Sequence, residues 1–156
     1  MKITVRSRYF FENLRGTAEE AGVFSGFRVI SVNSVRIPEE PPFSKQYWTA
    51  DNVLILRFDD VDDPGSEFQQ SGHAMTAADA DAIAGFVDSP YPRPIIVHCT
   101  AGISRSGAIG TCLNEYFNKK LSQDETAHQA FLIAHPHINP NLHVMKLLWK
   151  RLQLEI

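Results

Sequence analysis

Four short apolar runs constrain the fold most: Ile3 to Val5, Val29 to Val32, Val53 to Phe58 and Ile95 to Val97. Each is rich in β-branched residues, as expected of strands buried on both faces of a largely parallel sheet. Helical patterns lie between and after them. Thr76, with Asp79 three positions on, matches a capping box that opens a helix with Ile83, Phe86 and Val87 inward and ends before Ser89-Pro90. This predicts a strand–helix–strand crossover. Ile109, Cys112, Leu113, Tyr116 and Phe117 recur at the spacing of one helix face and predict a helix from about Arg105 to Lys120. Ser122 with Glu125 forms a second capping-box pattern before "TAHQAFLIAHP". Pro140-Asn141 precedes a final amphipathic segment bearing Leu142, Met145, Leu148, Trp149 and Leu152. The expected fold is α/β, a single domain over residues 1–156 with a central, mostly parallel sheet flanked by helices on both faces.

Composition narrows the function classes. A chain of 156 residues, 44% of them apolar, can bury a core without staples, and no internal repeat or long linker divides it. Residues 36–45, "RIPEEPPFSK", read as a surface excursion. The opening "MKITVRSRYFFENLRG" lacks the apolar core of a signal peptide and no run is long enough to span a membrane, so a cytoplasmic location without membrane partners is expected. Two cysteines without a CxxC pair exclude a disulfide framework and argue against structural zinc. A net charge of −3 with no basic stripe speaks against a nucleic-acid partner, so any anion binding must be local.

The local feature is "VHCTAGISRSG", Val97 to Gly107, which sits between the fourth apolar run and a predicted helix. A strand-to-helix turn presents several backbone N–H groups to one point, and the helix dipole adds partial positive charge there. Thr100, Ala101, Gly102, Ile103 and Ser104 would form the phosphate-binding loop. Gly102 permits an unusual backbone angle, small side chains admit an anion to the amides, and Arg105 offers a two-oxygen fork. The field that favours a dianion also favours a thiolate at Cys99 and makes it a nucleophile, with no metal or other cofactor required. Cys112 shares the apolar helix face with Ile109 and Tyr116 and reads as a core residue.

At His98, Cys99, Arg105 and Ser106 the sequence resembles the cysteine-based protein tyrosine phosphatase superfamily, whose signature is His-Cys, five residues, Arg, then Ser or Thr. "HCTAGISRSG" is most similar to the small dual-specificity branch, and the element order from Ile3 to Leu152 is compatible with that fold. The resemblance implies Cys99 as nucleophile, Arg105 as phosphate clamp, Ser106 as the hydroxyl that stabilises the departing thiolate and His98 as a structural partner. It also implies a general acid on an upstream loop. "LRFDDVDDPGSEF" holds four aspartates, of which Asp60 aligns best, with Asp59 and Asp63 as close alternatives. Because Pro64-Gly65 follows and no helix begins before about Thr76, the acid is expected on a mobile loop. Asn141, in "HINPNLHVM", is a candidate brace for the active-site loop and equally a helix cap.

The function these residues imply is hydrolysis of phosphotyrosine, with phosphoserine and phosphothreonine as further substrates, through a phosphocysteine intermediate. The partner is a phosphorylated protein or peptide, and a monomer is expected. The alternatives are a phosphatase of a non-protein phosphomonoester (phosphoinositide, inositol phosphate or RNA 5'-phosphate), a phosphate-binding pseudophosphatase module, and a sulfurtransferase. The absence of Lys between Cys99 and Arg105 disfavours highly phosphorylated substrates, and the Cys-to-Arg spacing disfavours sulfur transfer.

Overall fold

The computed structural model describes residues 1–66, 72–90 and 92–154. Strands β1 (Ile3–Ser7), β2 (Arg28–Asn33), β3 (Val53–Arg57) and β4 (Ile95–Cys99) form one sheet in the order β1-β4-β2-β3. Every pairing in it is parallel, so the sheet is more uniform than the mostly parallel one expected. All four apolar runs became strands, and side-chain alternation along them feeds two cores. Ile30, Val32, Val97 and Cys99 face one core, whereas Val29 and Ile96 face the other.

Helices α3 (Ala77–Val87), α4 (Arg105–Asn114), α5 (Glu125–Ala134) and α6 (Leu142–Arg151) contribute to the first core. The Thr76 capping box is present in both directions, with Asp79 N–H donating to Thr76 Oγ1 and Thr76 N–H to Asp79 Oδ2. Helix α3 therefore begins where its cap requires. Helix α4 lies close on the sheet because residue 110 is glycine. A Cβ there would stand 2.5 Å from Val5 Cγ2 and 3.3 Å from the Phe131 ring.

Several expectations are corrected. The helix predicted to run to Lys120 is α-helical only to Asn114 and widens into a π-helical segment, Glu115–Leu121. That segment carries the buried Asn118, which bonds Asn114 Oδ1 and the Met1 carbonyl. Asp124 rather than Ser122 caps α5, accepting from Ala127 N–H; the Ser122 hydroxyl instead donates to the Phe117 carbonyl and closes the preceding turn. Leu142 is 63% exposed, and Val144 takes its expected place in the core.

The N-terminal third holds two short helices that periodicity did not predict, α1 (Arg8–Leu14) and α2 (Ala18–Gly26). They cover the opposite face with an aromatic cluster of Phe11, Phe24 and Phe43. Phe43 is fully buried, so the segment read as a surface excursion is exposed along Arg36 to Pro38 but returns to the core at its end. Glu20, buried on α2, ties that return down by accepting from Ser44 N–H and Ser44 Oγ.

Among the described residues, no helix is long and apolar enough to cross a membrane.

Candidate active site

In a parallel sheet all strands end on the same side, and loops from different strands converge there. Arg8 follows β1, Ser34 and Glu39 follow β2, Asp59 and Asp60 follow β3, and the loop from Cys99 to Ser106 joins β4 to α4. Each predicted site residue is on this edge or the loop itself, except Asn141, which arrives from the start of α6.

The loop wraps around the sulfur. Cys99 Sγ accepts from Gly102 N–H at 3.3 Å and lies 3.0 Å from Ser106 Oγ. Gly102 has φ +74°, and a Cβ on it would fall 2.6 Å from Ser7 N and 2.7 Å from the Arg6 carbonyl carbon. Only glycine fits there, on grounds of both backbone conformation and space. Arg8 N–H donates to the Thr100 carbonyl and fastens the first turn of the loop to the end of β1. Ala101 and Ile103 are exposed at the loop surface.

Arg105 is buried at 5% exposure. Its Nη1 donates to Ser34 Oγ at 2.9 Å and to the Phe58 carbonyl at 2.8 Å, and its Nη2 donates to Thr100 Oγ1 at 2.8 Å. Both Nη1 hydrogens are thus committed to the ends of β2 and β3. The Nε and remaining Nη2 hydrogens form the edge of the guanidinium that suits a two-oxygen ligand. The Thr100 hydroxyl in turn donates to the Glu39 carboxylate, which also accepts from Ser34 N–H and stands 3.3 Å from Arg8 Nη1. Burial pushes the Glu39 pKa up, but the Ser34 amide, the Thr100 and Ser34 hydroxyls and the Arg8 charge outweigh it and leave Glu39 below the usual carboxylate range.

His98 is fully buried against Phe11 and Phe43. Nδ1 lies 3.1 Å from the Cys99 carbonyl and Nε2 lies 2.6 Å from Ser31 Oγ. A carbonyl can only accept, so the ring carries its proton on Nδ1 and accepts from Ser31 at Nε2. Burial lowers its pKa to about 4, which keeps it neutral.

The three aspartates weighed for the acid separate clearly. Asp59 accepts backbone N–H groups from Val35, Arg36 and His73. Burial raises its pKa, yet these amides and the nearby His73 hold it below the ordinary value, and its carboxylate serves to pin loops together. Asp63 Oδ1 accepts from Gly65 N–H within its own turn. Asp60 is exposed, and its Oδ1 accepts from Ser104 Oγ and Asn141 Nδ2, both at 2.8 Å. Asn141 Oδ1 caps α6 at Val144 N–H, and its backbone N–H donates to the Ser104 carbonyl. The loop expected to be mobile is anchored at its start by Asp59, and residues 67–71 lie outside the described residues.

Cys112 is fully buried beside Met145, and burial with the Glu115 charge pushes its thiol up to about 12. Both cysteines are free. Sequence reading missed Ser31, Ser34 and Glu39. The available signal was position, since Ser34 immediately follows the last residue of β2 on the ligand-binding edge of a parallel sheet.

No family model and no curated protein matches this chain. Solved structures do. Human DUSP28 shares 20% identity over 97% of this chain and 91% of its own, with a TM-score of 0.51. Human tyrosine phosphatase-like serine/threonine/tyrosine-interacting protein shares 18% over 95% and 89%, with a TM-score of 0.57. PTPMT1, solved in complex with PI(5)P, shares 17% over 97% and 90%, with a TM-score of 0.51. The sheet, the helices on its two faces and the loop between β4 and α4 therefore follow one known architecture: the chain has the fold of the cysteine-based protein tyrosine phosphatases, in the form of the small dual-specificity branch.

Proposed function

We propose that the protein is a cysteine-dependent phosphomonoesterase acting on phosphotyrosine in proteins, with phosphoserine and phosphothreonine as slower substrates. The observation that carries this reading is the arrangement around Cys99 Sγ, with Gly102 N–H at 3.3 Å, Ser106 Oγ at 3.0 Å and the Arg105 guanidinium fixed on the same loop. The loop amides and Arg105 hold three phosphoryl oxygens, and the thiolate attacks phosphorus from the opposite side to the leaving oxygen. An S–P bond forms as the P–O bond breaks, and Asp60 gives its proton to the departing phenolate. Water then attacks phosphorus, Asp60 takes back a proton, and the sulfur leaves as a thiolate stabilised by the Ser106 hydroxyl. Ser104 and Asn141 position Asp60 through its Oδ1, while Ser34 and the Phe58 carbonyl position Arg105.

Ile103, an exposed apolar side chain of the loop itself, favours an aromatic or apolar substrate over a polyphosphorylated one. The reading is tested with a phosphotyrosyl peptide, PI(5)P and a small aryl phosphate as competing substrates, for wild type and Cys99→Ser. Turnover of the peptide and aryl phosphate that vanishes in the variant is expected. Turnover of PI(5)P alone would move the substrate to lipids, and none with any substrate would leave a phosphate-binding module.

A further inference from the structure

Strand β2 is buried from Val29 to Asn33, yet two of those positions are polar. Ser31 and Asn33 are two residues apart, so both side chains leave the same face of the sheet, and neither is exposed. Packing alone calls for apolar side chains at both places. Buried polar groups are costly unless bonded, and the bonds here run in single file toward the phosphate loop.

Asn33 Nδ2 lies 3.2 Å from the Ser31 carbonyl, 3.1 Å from Ser31 Oγ and 3.4 Å from the Leu56 carbonyl. Two carbonyls can face only a donor, so this end of the amide is its NH2 group and Ser31 Oγ accepts from it. The Ser31 hydrogen then points along the other contact of its oxygen, 2.6 Å to His98 Nε2. That contact is built into the ladder, because the register of β2 and β4 sets Ser31 directly beside His98. The imidazole passes the direction on, with Nδ1–H donating to the Cys99 carbonyl at 3.1 Å. Every donor in the file therefore points from β2 to the nucleophile.

The Cys99 carbonyl and the Thr100 N–H belong to one trans peptide plane and point opposite ways in it. Fixing the carbonyl on His98 thus fixes the first amide of the loop and the backbone from which the thiol projects. Arg105 is held separately, by Ser34, the Phe58 carbonyl and Thr100. One support aims the sulfur and another aims the clamp.

We propose that Ser31 and Asn33 are positioning residues for Cys99: they hold His98 in the one tautomer that donates to the Cys99 carbonyl, and so fix the peptide plane that aims the sulfur. Without the Ser31 hydroxyl the ring proton exchanges between Nδ1 and Nε2, and in the second tautomer a nitrogen lone pair faces the carbonyl. The peptide then turns, and the sulfur loses its alignment while Arg105 keeps its own. The effect on turnover rests on the phosphatase reading; the effect on the sulfur is measured without substrate.

Ser31→Ala should lower kcat for a small aryl phosphate by ~10–100-fold and leave KM within about 3-fold, since the clamp is untouched. Alkylation of Cys99 by iodoacetamide at pH 6 should slow by at least ~3-fold. ¹⁵N NMR should show the single Nδ1–H tautomer of wild type replaced by a mixture. In a His98→Gln background, where no tautomer exists, Ser31→Ala should change kcat and the alkylation rate by less than about 2-fold. Asn33→Ala, which lets the Ser31 hydroxyl turn, should act in the same direction at smaller size, and it carries the test if Ser31→Ala melts as an unfolded chain. The proposal is overturned if Ser31→Ala keeps wild-type alkylation, if its tautomer stays single, or if KM rises while kcat holds. It is also overturned if the loss is as large in the His98→Gln background, because Ser31 would then act by packing. A wild type that hydrolyses no phosphomonoester would overturn the phosphatase reading, and the alkylation and NMR arms would still decide the positioning.

Discussion

Lowering the pH should unfold this protein through His98 before its carboxylates titrate. The imidazole is fully buried, its Nδ1–H donates to the Cys99 carbonyl and its Nε2 accepts from Ser31. A second proton would land on Nε2, facing a hydroxyl that already accepts from Asn33 Nδ2 at 3.1 Å. Burial accordingly lowers the pKa from 6.5 to about 4. Between these values the unfolded chain takes up a proton that the folded one refuses, so stability is full above about pH 6.5 and declines as the pH falls toward 4. A difference of that size corresponds to about 3 kcal/mol, a large share of a domain's stability. His135, whose pKa burial also lowers, adds a contribution of the same sign. Asp59 and Glu39, held below the usual range, lose their contribution only as the pH falls into the acid range below that window. Urea denaturation of wild type, His98→Gln and His135→Gln between pH 7.5 and 4.5 isolates the His98 part, and ¹⁵N NMR reads its tautomer directly. Stability independent of pH across the window, or a His98 ring that titrates near 6.5 or carries its proton on Nε2 at neutral pH, would refute the reasoning.

Asp60→Asn should slow hydrolysis of a phosphotyrosyl peptide by ~10²–10⁴-fold and spare aryl phosphates whose phenols leave readily, with Asp59→Asn and Asp63→Asn run in parallel. If the leaving-group dependence appears in Asp63→Asn instead, the acid is misassigned. Gly102→Ala should cost about 2–4 kcal/mol, read by chemical denaturation, because its Cβ would meet the backbone of Arg6 and Ser7 at a positive φ. Alkylation with iodoacetamide at neutral pH should label Cys99 and leave Cys112 untouched, as peptide mass mapping would show: both side chains are buried, but the Cys112 thiol is raised to about 12, whereas the Cys99 sulfur meets the Gly102 amide and lies beside the Ser106 hydroxyl. Glu39→Gln keeps the shape but removes the charge that the Thr100 hydroxyl meets; it should raise KM more than it lowers kcat for an aryl phosphate, and an unchanged KM would argue against positioning through Thr100.

What could be read from the chain alone followed how local each determinant was. The four strands and α3 were legible because β-branched runs and the Thr76–Asp79 cap act within a few residues. Helices α1 and α2 were not: they are short, and what holds them is the packing of Phe11 and Phe24 on Phe43, contributed by a segment that reads as surface. The loop from Cys99 to Ser106 stood out because its residues are contiguous. Apart from Asn141, its supports did not, because Ser34 and Glu39 reach it from a loop about 60 to 70 positions away in sequence, and Ser or Glu in a polar loop has no distinguishing pattern. The choice among the aspartates likewise depended on which amides lay within reach of Asp59, a question of tertiary structure.

Arg105 is tethered to the ends of β2 and β3, and the loop it belongs to is fastened to β1 through Arg8 and Gly102. The site exists only when the sheet is assembled, so an oxyanion that occupies it binds the folded chain and not the unfolded one. Melting temperature then becomes a readout of ligand identity. At ~100 times its Kd a phosphomonoester adds about 2.7 kcal/mol, which for a chain of this size is a rise of roughly 5–10 °C. Cys99→Ser, which should bind substrate without consuming it, turns the protein into a thermal reporter for screening phosphorylated peptides, lipids and metabolites.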